Sequence, residues 1–258
     1  APTSIRISTS GFNQDTYSIT HKGGDVEKVK SNMKTLARLV QERGGLTELN
    51  VLYHRYLGNH DDEAQMRAFA EGLGYNFEPV WAYLMPLEKN LVFAAEGIDA
   101  PRLSDGDRAL IQRLALPLEK AIQVSKKKVE SDCILRRDQY ALDAQGNVSL
   151  CCAVYNAGDR VVGSYLDTPH DTLTQRKYEH PLCNTCMMNG LHVLATYGAA
   201  EEFDEIATAN VIEHYPSAKL GTSRPVARKG LIGKARRFLA RHRRMRARAK
   251  QFDQGKSQ

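Results

Sequence analysis

The chain has 258 residues, enough for one large domain or two modest ones. Its 42% hydrophobic content suits a globular protein, and no apolar run approaches the ~20 residues of a membrane-spanning helix. The net charge of +6 comes from one end: residues 215–258 carry 14 Lys/Arg against Asp253 alone, while the rest carries 22 Lys/Arg against 29 Asp/Glu and is acidic.

The N-terminus, APTSIRISTSGFNQD, has no apolar stretch of the kind a secretory signal needs, so a cytoplasmic protein is expected. Ile5-Arg6-Ile7 reads as a short strand. From Asp25 to Arg43, Val26, Val29, Met33, Leu36, Leu39 and Val40 recur at helical spacing, and Gly44-Gly45 ends the helix. Leu49 to Tyr56 reads as a second strand. Asp61 or Asp62 is expected to cap a helix carrying Met66, Phe69, Ala70 and Leu73. Phe77 to Met85 reads as a third strand, with Trp81 and Tyr83 either in strand packing or at the mouth of a site. This strand–helix alternation predicts βα units on a parallel sheet.

Residues 86–103 read as a loop. Ser104 is expected to cap a helical stretch reaching Glu130, which Pro117 kinks or divides. Gln139 to Ala153 alternates around Ala144-Gln145-Gly146-Asn147, which predicts a β-hairpin with a glycine-containing turn. An irregular stretch then runs to Asp171, followed by a short helix near Leu173–Tyr178 and another near Ala199–Ile212. Beyond a linker from Pro216 to Gly230, the residues Leu231, Ala235, Phe238, His242, Met245, Ala249 and Phe252 fall on one helical face, with Arg and Lys elsewhere. Such a basic tail is suited to nucleic acid, acidic lipid or an acidic protein partner, or is simply a solvated extension.

All five cysteines lie between Cys133 and Cys186. An odd number in a tight cluster, with no secretory signal, argues for a metal site over a disulfide framework. The spacing is Cys133, twelve residues, Gly146, four residues, Cys151, then Cys183-Asn184-Thr185-Cys186. The hairpin returns the chain from Cys133 to Cys151, and the C-x-x-C pair, placed on a tight loop, offers two sulfurs to one centre. Cys152 has the opposite strand parity to Cys151 and is expected to point away. The candidate ligands are therefore Cys133, Cys151, Cys183 and Cys186. Four thiolates suit an iron–sulfur cluster or a structural zinc ion, and spacing alone leaves both open beside plain buried thiols. His170, His180 and His192 flank the cysteines, as solvated histidines or as tuning groups.

At these residues the sequence resembles the SPASM/twitch extension of radical S-adenosylmethionine (SAM) enzymes. The likeness rests on Cys133, on Asp143-Ala144-Gln145-Gly146-Asn147-Val148 leading to Cys151-Cys152, on Val162–Leu166 and on the C-x-x-C. Ile5–Gly11, Thr16-Tyr17, Gly23-Gly24 and Asp25–Met33 are similar to a strand and helix of that family's barrel, and the likeness covers about residues 1–190. It implies an α/β fold: the last βα units of a partial TIM-like (βα) barrel over residues 1–130, a small hairpin-and-helix cluster domain over 131–214 and the basic tail over 215–258. It also implies one auxiliary 4Fe-4S cluster, with zinc as the alternative metal. SAM, a peptide or small-molecule substrate and an electron donor protein belong to the parent enzyme, and Ser8 is a candidate contact to SAM. The C-x-x-x-C-x-x-C that holds the SAM-cleaving cluster in that family is absent here, and no cysteine precedes Cys133. The alternative is a non-catalytic iron–sulfur or zinc-binding interaction protein.

Overall fold

Tertiary structure is taken from a computed structural model, which describes residues 2–155 and 160–221. The amphipathic stretch 231–252 and most of the linker before it lie outside the described residues.

Three strands, β1 (Ser4–Thr9), β2 (Glu48–Arg55) and β3 (Asn76–Trp81), form a parallel sheet in that order. Between them run α1 (Gln14–Thr20), α2 (Val26–Glu42) and α3 (His60–Gly72). The predicted alternation is therefore present. The sheet is open, and no closed barrel forms among the described residues.

Asp25 starts α2 by accepting a hydrogen bond from Lys28 N–H at 3.0 Å. The helix buries Val26, Met33 and Ala37. Met33 and Ala37 pack with Leu49, Val51 and Tyr53 of β2, Met66 and Ala70 of α3, and Phe77 of β3. Helix α3 begins at His60 with Asn59 as its cap residue, not at Asp61 or Asp62. Asp62 instead turns back to accept from Phe12 N–H and Asn13 N–H at 2.7 and 2.9 Å, fixing the loop after β1.

The other sheet face is polar. Asn50 Nδ2 donates to Ser4 at 2.9 Å, Asn76 Nδ2 to Asn50 Oδ1 at 3.0 Å, and Arg6 pairs with Glu78 at 3.4 Å. Parallel sheets ordinarily bury both faces behind apolar residues. Ser8 belongs to this polar face and is exposed.

After β3 the chain is mainly helical. The expected loop 86–103 contains α4 (Leu87–Glu96). Helix α5 (Asp105–Gln112) has the predicted Ser104 cap, completed as a capping box by Asp107. Pro117 separates it from α6 (Leu118–Lys126). Then follow α7 (Ile134–Arg137), β4 (Ala141–Leu142), β5 (Asn147–Ser149), β6 (Val161–Ser164), α8 (His170–Glu179), α9 (Pro181–Met188), α10 (Leu191–Ala195) and α11 (Ala200–His214). Strands β4, β5 and β6 form a second sheet, antiparallel throughout. The hairpin turn lies where expected: Gly146 has φ +80°, and Asp143 Oδ1 accepts from Gln145 N–H and Asn147 N–H, both at 2.9 Å. Strand β6 occupies part of the stretch read as irregular.

One apolar core links the end of the parallel sheet to the cysteine region. It includes Trp81, Leu84, Leu114, Leu116, Val148, Leu150, Cys186, Leu194 and Phe203. Trp81 is a packing residue whose Nε1 donates to Asp204 at 2.9 Å. Leu87 N–H bonds Ala153 O at 2.8 Å, and Asn210 Nδ2 bonds Ala115 O at 2.9 Å. The core thus crosses the 130/131 boundary drawn from the sequence. Among the described residues, no helix is long and apolar enough to cross a membrane.

Gly190 sets the approach of α10 to α6. Its φ is +71°, and a Cβ there would lie 2.6 Å from the Ser125 carbonyl carbon and oxygen. Gly190→Ala therefore combines left-handed strain with a backbone clash, and should lower unfolding free energy by about 2 kcal/mol or more in urea denaturation.

Candidate metal centre

Cys133 is the cap residue of the one-turn helix α7 and is buried. Cys151 and Cys152 follow β5, beyond its last residue Ser149. Strand parity therefore does not govern them. Adjacent in sequence, Cys151 and Cys152 shift each other's ionisation, with Cys151 half-buried and Cys152 exposed; Cys151 Sγ accepts from Ala153 N–H at 3.4 Å. Cys183 and Cys186 sit on helix α9, not on a tight loop. Three residues apart on a helix, they share one side of it. Pro181 opens α9, and His180 Nδ1 accepts from Leu182 N–H at 3.2 Å.

These segments place the thiols in one electrostatic neighbourhood. Cys133 opposes ionisation of Cys151, Cys183 and Cys186. Burial, then Cys183 and Cys133, pushes the Cys186 thiol up to about 12. Burial also raises Cys183, against the pull of the nearby Arg136 guanidinium. Each neighbour acts on the other, raising the Cys151 thiol and lowering that of Cys152, so Cys152 is the readier of the two to ionise. All five cysteines are free of disulfides. As they stand, no three His, Cys, Asp or Glu side chains among the described residues close up tightly enough to hold one metal ion.

Charged and polar groups flank the region. Arg136 pairs with Asp132 at 2.7 Å, and Tyr178 O–H donates to the same carboxylate at 3.0 Å. Lys177 on α8 is fully buried, and Cys151, Cys133, Cys183 and Cys152 act on its charge. His192 is buried, and its Nε2 lies 2.8 Å from Ser131 O. The His192 backbone weighs against the upward shift of the Cys186 thiol. His180 caps α9, while His170 is exposed beside Asp171. Arg136 and Lys177 were not singled out from the sequence. Their one signal is position: each is a cation within a turn or two of a candidate cysteine.

Ser8 lies on the parallel sheet, whereas none of the candidate cysteines is on a strand. An open cleft of about 720 Å³ lies between α4, α5, α6 and α11, lined by Phe93, Ile98, Ile111, Leu118 and Ile122. No cysteine lines it. Comparison with protein-family models, with curated proteins and with solved structures gives no match to this chain.

The thiol pair makes the metal-free chain selectively reactive. At neutral pH, iodoacetamide should alkylate Cys152 first, ahead of Cys183 and Cys186, because thiolate is the nucleophile and Cys152 is the exposed, ionised partner. Cys151→Ala removes the neighbouring thiol and should slow that reaction at the same pH. Peptide mapping by mass spectrometry over time measures both rates.

Proposed function

We propose that this chain is the C-terminal part of a radical SAM enzyme and carries one auxiliary 4Fe-4S cluster on Cys133, Cys151, Cys183 and Cys186. The observation that carries the reading is the electrostatic reach of Cys133 to the other three thiols, across three separate segments of chain. Thiols in reach of one another but not drawn onto one point suit a group that interposes its own iron and sulfide atoms. The thiolates of a tetrahedral zinc ion stand only about 4 Å apart. Arg136 stabilises the thiolate of Cys183, and the backbone N–H of His192 does the same for Cys186. Cations and donors near sulfur are the usual means by which a protein tunes a cluster.

In this reading the parallel sheet is an arc of the barrel. Its polar face, with Ser8, Arg6, Asn50 and Glu78, would line the interior where SAM and a peptide or small-molecule substrate bind. A bound cluster would supply one-electron transfer, with an electron donor protein as partner. Four protein thiolates leave no iron open for substrate, which favours relay over substrate ligation. The C-x-x-x-C-x-x-C motif is not in this sequence, so reductive cleavage of SAM is not assigned to these residues. The proposed setting is cytoplasmic, where thiols stay reduced. A role for the basic tail with nucleic acid, acidic lipid or an acidic partner stays a proposal resting on its composition alone.

Anaerobic reconstitution with iron and sulfide tests the cluster. The full chain should take up about four irons and four sulfides with a broad visible absorption band. Serine at Cys133, Cys151, Cys183 or Cys186 should each lower the iron content, and Cys152→Ser should leave it unchanged. Zinc bound without sulfide refutes the reading, as does cluster loss in Cys152→Ser with retention in Cys151→Ser.

A further inference from the structure

The open cleft between α4, α5, α6 and α11 lies outside the proposed cluster site, since neither the cysteines nor Ser8 line it. Its volume of about 720 Å³ falls within the range of small-molecule sites. The chain gives it an apolar floor under a polar rim. Ile111 of α5, Leu114 beyond it, and Leu118 and Ile122 of α6 are buried at the bottom. Phe93 of α4 and Ile98 beyond its end stand half-buried beside them. Gln112, Glu119, Gln123, Lys126 and His214 are exposed at the rim.

Helix α6 gives the cleft a direction. Leu118, Ile122 and Lys126 are spaced four residues apart, so they fall on one line along the helix: two apolar side chains, then an ammonium. From Leu118 to Lys126 the helix rises about 12 Å. Lys126 has no ion-pair partner among the described residues. The one carboxylate of the rim, Glu119, sits about 10 Å back along the axis and accepts from Gln123 Nε2 at 3.3 Å. On α11, Asn210 Nδ2 bonds Ala115 O at 2.9 Å, and His214 Nδ1 lies 2.9 Å from Asn210 O, so both side chains are anchored within the protein. The result is an apolar trough with a positive charge at one end.

We propose that this cleft binds a free linear monocarboxylate of about ten carbons, its chain laid over Ile111, Leu118 and Ile122 and its carboxylate on Lys126. Burial of the alkyl chain drives binding. The exposed ion pair selects the headgroup, because a solvent-screened pair adds little affinity of its own. The site is independent of the cluster and stands whether or not the chain takes up iron.

The test titrates decanoate into the full chain by isothermal calorimetry at low salt, with neutral 1-decanol and cationic decyltrimethylammonium as matched probes. Decanoate should bind one to one and more tightly than either. Lys126→Glu, a change at an exposed position, should weaken decanoate about fivefold and strengthen decyltrimethylammonium. Ala94→Phe, at a half-buried position lining the cleft, should abolish decanoate binding while circular dichroism shows unchanged helix content. Gln123→Trp blocks the same space from the exposed rim and serves where Ala94→Phe fails to fold. A wild-type chain that binds no decanoate overturns the proposal. So does equal affinity for decanoate and 1-decanol, decanoate binding unaltered in Lys126→Glu, or decanoate binding retained in a folded Ala94→Phe or Gln123→Trp chain.

Discussion

Crowding buried thiols together works against the ionisation that metal binding requires. Burial lifts Cys183 and Cys186, and each thiolate formed makes the next harder to form, as the mutual effects of Cys133, Cys183 and Cys186 show. A fold with no use for charge here would bury apolar side chains instead. This one brings cations and donors to the same place: the Arg136 guanidinium near Cys183, the His192 backbone acting on Cys186 and the Lys177 ammonium, on whose charge four of the five sulfurs act. Those additions cost desolvation of their own, which Asp132 offsets for Arg136 and the carbonyls of Leu135 and Gln139 offset for Lys177.

The support for these cations is itself layered. Arg136 is oriented by Asp132, which also accepts from Tyr178 one residue beyond Lys177. His192 reaches Ser131 through its ring and acts on Cys186 through its backbone, so one residue ties the C-x-x-C helix to the chain just ahead of Cys133. Burial lowers the proton affinity of that ring, which keeps it neutral. Helix α8 plays the matching part from the other side, joining the turn after Cys133 through Lys177 and strand β6 through Arg176 Nη1, which bonds Val162 O at 2.9 Å.

Where a physical period governed the chain, the sequence was legible. The strands and helices up to Trp81 follow alternation and 3.6-residue spacing, and the Ser104 cap and Pro117 break follow side-chain chemistry that acts locally. The hairpin was legible because Asp143 and Gly146 satisfy one turn geometry. Reading failed where tertiary packing decided the outcome. Strand β6 has only four residues and exists by pairing with β5. The C-x-x-C segment is helical because Pro181 starts a helix and Leu182, Cys183 and Cys186 have the core to pack on. The parity argument for Cys152 assumed a strand that ends at Ser149. Nothing local distinguishes Lys177 from Arg176 beside it. Only the fold shows that one is buried on the carbonyls of Leu135 and Gln139 and the other bonds a carbonyl of β6.

The geometry of the C-x-x-C pair depends on residues far from it. Helix α9 ends at Met188, and Gly190, the cap residue of α10, has no Cβ and so lets the chain press onto the Ser125 backbone near the end of α6. Cys186 belongs to the same apolar core as Trp81, Leu114 and Phe203. A sulfur position fixed by that core cannot shift without repacking helices on both sides of the 130/131 boundary, because close-packed interiors do not deform gradually. The cysteine region is therefore no free-standing module. Cys186 at least is held by side chains from both sides of that boundary, so a change in either part is felt at the C-x-x-C pair.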